Sequence, residues 1–236
     1  MNTLWGQRIL VTFSFCLSFL SSAWATEKDV YDFKWLDPDK SVYVLQNKVY
    51  KKAKTWYGDV SFLKGMSSTY EDTKGLDIKG GYFFHEEWGI ELYHTEYFHK
   101  NNENYVNIMR LNGTVPFVRH INNATGALVI WAPSYGKINT FNRIYYFDWS
   151  FGAGLAKLNA ESNIQTVRDP LAPNYFQKEK YTAAVLKTEL RFYLSKKVHI
   201  GIELRNSFYK APSAANPTQK NLKTNTDSLF SIGYSF

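Results

Sequence analysis

Apolar and polar residues alternate through most of this chain, and the alternation predicts its elements. Between residues 143 and 158, Tyr145, Phe147, Trp149, Phe151, Ala153 and Leu155 hold every second position. Tyr146, Asp148, Ser150, Gly152, Gly154 and Ala156 hold the positions between them. Side chains of an extended strand point alternately to its two faces, so this run predicts a strand with one apolar face. Residues 56–63 set Trp56, Gly58, Val60 and Phe62 against Tyr57, Asp59 and Ser61. Residues 76–84 set Leu76, Ile78, Tyr82 and Phe84 against Asp77, Lys79 and Gly81. Residues 88–97 set Trp88, Ile90 and Leu92 against Gly89, Glu91, Tyr93 and Thr95. Leu186, Leu190, Phe192 and Leu194 oppose Lys187, Glu189 and Arg191 in residues 181–194. Val198, Ile200, Ile202 and Leu204 oppose His199, Gly201, Glu203 and Arg205 just after them. Residues 124–132 are nearly all apolar and make a strand whose facing the pattern leaves open. The chain stops on a strand with Phe230, Ile232, Tyr234 and Phe236 on one face, and Ser231, Gly233 and Ser235 joined by Leu229 on the other.

That makes eight strands, and their charges lie on the wrong face for a water-soluble barrel, which fills its interior with apolar groups. Here the charged faces must point inward and the apolar faces outward, as in a barrel that crosses a bilayer. The connections support this. Links 85–87 and 195–197 are short and link 133–142 is moderate, while the alternate links are mostly longer. Outer-membrane barrels have short periplasmic turns and longer extracellular loops. In hydrocarbon every backbone group must find a partner, so the sheet must close. The expected fold is all-β: an eight-stranded antiparallel transmembrane β-barrel over residues 55–236, with a periplasmic N-terminal extension over residues 26–54.

Residues 1–25 read as a signal peptide. Arg8 supplies the positive charge, residues 9–20 are apolar but too short to span a bilayer, and Ala23-Trp24-Ala25 is a cleavage site. The expected location is the cell outer membrane. Cys16 is the only cysteine and falls inside this segment, so the mature chain offers no disulfide and no thiol catalysis. Aromatic residues make up 17% of the chain, which suits interfacial girdles. The net charge of +7 would suit nucleic acid, but an exported chain without a basic helix or an RNA-binding motif excludes that partner. Asp37 and Asp39 flank Pro38 in a turn and supply too few oxygens for calcium.

Ten ionisable residues face inward in this reading: Asp59, Asp77, Lys79, Glu91, Asp148, Lys187, Glu189, Arg191, Glu203 and Arg205. A small eight-stranded barrel is filled by side chains, so these charges are expected to pair with one another, notably across the neighbouring strands 181–194 and 198–204. A proton or ion path is the competing reading. The histidines are His85, His94, His99, His120 and His199. His94 stands at the end of an outward face beside Thr95 and Glu96 and is the best available base for lipid-modifying chemistry. No cluster has zinc spacing and no loop cradles phosphate. No catalytic, cofactor-binding or metal residue is therefore assigned, and the chain is expected not to be an enzyme. A structural or surface-binding role is expected, with a lipid-modifying enzyme or a narrow pore as alternatives. The expected partners are outer-membrane lipid, the barrel-assembly machinery during biogenesis, and an extracellular ligand held by loops 100–121, 159–180 and 210–225.

Three stretches resemble a family of outer-membrane β-barrel proteins of myxobacteria and Bdellovibrio-like bacteria. They are Asp37-Pro38-Asp39-Lys40 with the run from Val42 to Tyr50, the run from Gly81 to Glu91 containing His85-Glu86-Glu87-Trp88, and the run from Trp131 to Asn142 leading into Tyr146-Phe147-Asp148. The resemblance implies a fold and a membrane, and brings no reaction or catalytic residue.

Overall fold

The computed structural model describes residues 48–140, 143–168, 175–214 and 219–236. The signal segment, the turn at Asp37 and Asp39 and residues 26–47 of the expected extension lie outside the described residues. Val49 to Phe236 form one compact unit.

Its strands are β1 (Thr55–Gly65), β2 (Glu71–Phe83), β3 (Trp88–Asn101), β4 (Arg119–Thr140), β5 (Arg143–Ser162), β6 (Gln177–Tyr193), β7 (Val198–Pro212) and β8 (Lys220–Ser235). Each pairs antiparallel with the next, and β8 returns to β1, so the sheet closes into a barrel. The seam runs through Val60 opposite Ile232 and Phe62 opposite Phe230. It ends where the Trp56 amide donates to the Phe236 carbonyl at 3.0 Å and the Phe236 amide donates back at 2.9 Å. The terminal strand is thus the closing strand, and the barrel has no free edge along this seam.

The faces follow the alternation. Trp56, Val60, Phe62, Ile78, Ile90, Leu92, Leu155, Leu186, Ile202, Phe230 and Ile232 are exposed around the outside, and all ten expected charges are buried within. An outer wall this apolar is matched by hydrocarbon and not by water, so the barrel is a transmembrane one. Around its short-turn end runs a chain of rings: Trp56 against Tyr82, Trp88 against Trp131, Trp131 against Phe151, and Phe151 against Trp149. This is an aromatic girdle of the kind that sits at headgroup level.

β4, whose facing the pattern left open, buries Ala124, Leu128, Ile130 and Ala132 and exposes Val129 and Trp131. On its lumen side Ile130 packs against Gly152 of β5, where any side chain would collide with it and with the Lys187 stem. The expected link at 133–142 is corrected. Residues 133–140 continue β4, and its pairing with β5 persists from Ser134 opposite Trp149 to Thr140 opposite Arg143. A register shift between Trp131 and Ser134 accommodates Pro133, which cannot donate to a ladder and which therefore reads as a break in sequence. β3 leaves β4 at Trp131 and β6 leaves β5 at Tyr146, so the two strands continue beyond the barrel as a ribbon at the short-turn end.

Loop 100–121 also holds an unexpected helix, α1 (Glu103–Asn112), capped by the Asn102 side chain accepting from the Tyr105 amide and closed by Gly113 at φ 62°. A short helix, α2 (Ile164–Arg168), follows β5. The loop expected at 159–180 is shorter than its sequence suggests, since β5 runs to Ser162 and β6 starts at Gln177.

Removing Ser235 and Phe236 deletes the reciprocal bonds to Trp56 and the last ring of the seam. The truncated chain should give a lower folded yield and a protease-sensitive species, read from heat-modifiable gel migration. Normal folded levels would argue against β8 as the closing strand.

Candidate functional site

The lumen is filled by charge. Asp59, Asp77, Glu91, Glu189 and Glu203 face Lys79, Lys187, Arg191 and Arg205, and none is more than 6% exposed. Burying such groups singly is prohibitive, so their geometry must be mutually satisfying. Lys79 Nζ lies 2.6 Å from Glu203 Oε2, 3.4 Å from Glu189 Oε1 and 3.6 Å from Asp59 Oδ2. Lys187 Nζ lies 2.6 Å from Glu91, 3.0 Å from Glu189 and 3.4 Å from Glu203. Arg205 donates to Asp77 at 2.8 Å and to Glu203 at 2.7 Å, and its guanidinium sits 3.9 Å from the centre of the Tyr93 ring. Arg191 lies 3.3 Å from Glu189 and 3.5 Å from Asp59, above the Tyr57 ring. Tyr57 donates to Glu91 at 2.6 Å, and His199 Nε2 is 2.8 Å from Asp59.

The partners differ from those expected. On β6 and β7 the residues directly opposite each other are alike in charge: Lys187 faces Arg205 and Glu189 faces Glu203. Like charges directly opposite repel. The repulsion is offset through the lumen, where Lys79 from β2 and Lys187 each reach both Glu189 and Glu203. Glu91 of β3 takes the rest of the Lys187 ammonium.

Each end has its own closure. At the short-turn end, residues 49–54 are largely exposed and turn one side chain, Lys52, inward. Lys52 is buried with its ammonium 2.8 Å from Asp148, which also accepts from the Tyr193 hydroxyl. The Tyr50 ring stacks on Tyr193 at 4.6 Å, and the Glu86 carboxylate accepts from the amides of Lys52 and Ala53. At the long-loop end, Asp227 accepts from Tyr97 at 2.7 Å and from Asn225 at 2.8 Å. Above it Arg119 Nε donates to Glu179 at 2.7 Å, and Tyr181 and Ser162 donate to the same carboxylate.

Beside these groups lies a cavity of about 290 Å³, walled by the β1–β2 link, Glu71, Tyr97, His99, Phe117, His120 and Tyr209 among others. The sequence pointed to none of Lys52, Glu71 or Asp227 as lumen groups. Each belongs to a segment where alternation is weak, and only the closed sheet brings it inside.

His94 stands on the outer wall. Its Nδ1 is 2.7 Å from the Thr125 hydroxyl of β4, and its Nε2 is 3.0 Å from Glu96. Thr95, its neighbour in sequence, faces inward and donates to Asp77. His85 is exposed in the β2–β3 turn, His99 and His120 line the loop-end cavity, and His199 is in the lumen. Among the described residues, no group of three or more His, Cys, Asp or Glu is arranged to hold a metal ion.

No family model and no curated protein matches the sequence. Similar solved structures are those of outer-membrane barrels. The N-terminal β-barrel domain of Pseudomonas aeruginosa OprF is 15% identical, with 78% of this chain and 98% of that one covered and a TM-score of 0.48. Ail, the attachment invasion locus protein of Yersinia pestis, is 13% identical, with 78% and 99% covered and a TM-score of 0.42. Neisserial surface protein A is 14% identical, with 77% and 94% covered and a TM-score of 0.43.

Glu203→Ala removes the shared partner of Lys79, Lys187 and Arg205. It should lower the stability of the refolded barrel by about 3–5 kcal/mol, the usual cost of orphaning a buried charge. Urea unfolding in lipid vesicles measures this, with Ile202→Leu on the outer wall as the silent control. An unchanged midpoint would mean that the lumen charges are hydrated and not paired.

Proposed function

We propose that this chain is an integral outer-membrane protein whose barrel is a sealed scaffold, with a structural or surface-binding role exercised at the long-loop end. The observation that carries the reading is the filled lumen. A pore needs a continuous wet path, and here Lys79 and Lys187 tie β2, β3, β6 and β7 together across the middle of the barrel. Lys52 and Tyr50 close one end and the Asp227 and Glu179 clusters narrow the other. The short turns lie toward the periplasm and the long links toward the exterior, following the usual build of such barrels. Lipid contacts the outer wall, and the assembly machinery of the outer membrane inserts the chain. This reading assigns no reaction to the lumen.

Purified protein should show heat-modifiable migration, fractionate with the outer membrane, and pass no steady current in planar bilayers. Recovery from the soluble periplasm, or a large open single-molecule conductance, would overturn the reading.

A second reading, a lipid-modifying enzyme, is favoured by one observation. Thr125, His94 and Glu96 stand in the order nucleophile, base and orienting carboxylate on the outer wall. They lie where the outward face of β3 passes from Ile90 and Leu92 to polar residues, with Lys157 directly opposite Thr125. Vesicles carrying a radiolabelled acyl lipid decide it. On the enzyme reading the refolded barrel releases or transfers the acyl group, and His94→Ala and Thr125→Val both abolish this. On the sealed-scaffold reading no turnover is seen.

A further inference from the structure

The loop-end cavity contains an unmet demand. Glu71 is 6% exposed, and one oxygen of its carboxylate, Oε2, is buried without a hydrogen-bond partner among the described residues. The other oxygen, Oε1, lies 3.2 Å from His120 Nδ1. A buried carboxylate oxygen with no donor is costly, and a bound group that supplies one is correspondingly favoured.

The surrounding side chains do not supply it. His99 Nε2 lies 2.8 Å from the Ile121 carbonyl, an acceptor, so Nε2 carries a proton. In the neutral ring Nδ1 then accepts from the Thr73 hydroxyl at 3.0 Å, and it stands 4.0 Å from Glu71 Oε2 with no N–H to offer. Arg119, on the same wall, is committed to Glu179. Lys223 also lines the cavity but is partly open to solvent, where its charge is screened. Among the described residues the ion-pairing partners of Glu71 are His99 and His120 alone. The rest of the wall includes the rings of Tyr97, Phe117 and Tyr209, which suit an apolar or cationic body.

We infer that this cavity is a binding site for a small organic ammonium, its cationic head paired with the Glu71 carboxylate and its hydrocarbon body lying against Tyr97, Phe117 and Tyr209. A neutral alcohol would satisfy the hydrogen bond but leave the carboxylate charge uncompensated. An anion would meet Glu71 directly and is repelled. The absence of a three-ligand cage among the described residues disfavours a metal ion. The inference rests on the reading that the long-loop end carries the function, and it names the chemistry of what that end takes.

The test uses the full mature chain refolded in an uncharged maltoside detergent, with n-pentylamine hydrochloride as the probe and n-pentanol as its neutral counterpart. Titration followed by amide NMR should show saturable shifts at residues 67–73 and 117–121 with the amine, and affinity for the alcohol weaker by about tenfold or more. Glu71→Gln should weaken the amine by a similar factor while heat-modifiable migration is kept. If that variant does not fold, the comparison of amine with alcohol on the unaltered protein decides alone. Equal binding of pentanol, unchanged binding in Glu71→Gln, or no saturable amine binding would each overturn the inference. Zinc chloride binding at the same amides in preference to the amine would overturn it in favour of a metal site. Conductance and fractionation are untouched by these outcomes, so failure here leaves the sealed barrel standing.

Discussion

Everything in this structure follows from placing charges where water is scarce. The outer wall faces lipid and has to be apolar, which leaves the polar half of each strand no place but the lumen. Once there, five carboxylates and four cations must satisfy one another within a space that side chains fill. The solution is a shared lattice and not a set of pairs. Each lysine ammonium reaches three carboxylates, and Glu203 is held by Lys79, Lys187 and Arg205 together.

That lattice dictates where the small residues go. The Tyr57 ring lies over Gly81 and the Tyr93 ring over Gly126, so any side chain at either glycine would overlap a ring. These tyrosines in turn lie beneath the guanidinium groups of Arg191 and Arg205, adding cation–π attraction where solvation is missing. The glycines on the inward faces, which look like weak points in a strand pattern, are the spaces that let large rings lie flat inside a narrow barrel.

The faces of the strands were legible because period-two alternation is local and the contrast between lipid and lumen is strong. Asp59, Lys79 and Glu203 could each be placed inside from their immediate neighbours. Their partners could not. Which charge meets which depends on register and on reach across the lumen, so the like-charged pairs of β6 and β7 had no signature in sequence. β4 was opaque for a related reason: its inward side is apolar too. The loop-end cavity is harder still, since Glu71, His99 and His120 come from three strands that only barrel closure brings together. Thr125 beside His94 likewise needs the pairing of β3 with β4, and the sequence offered Thr95 in its place.

The β4–β5 ribbon has a consequence for the order of folding. Its strands run 22 and 20 residues and are joined by only two, so it makes the most extensive pairing in the barrel across the shortest of the links. The seam between β1 and β8 is the opposite case, joining Val60 to Ile232 across nearly all of the described residues. Contacts local in sequence form early and distant ones late. By contact order the β4–β5 pairing, most of it within the barrel wall, comes first and the seam at the terminal strand last. Until then β1 and β8 are open edges in need of a temporary partner.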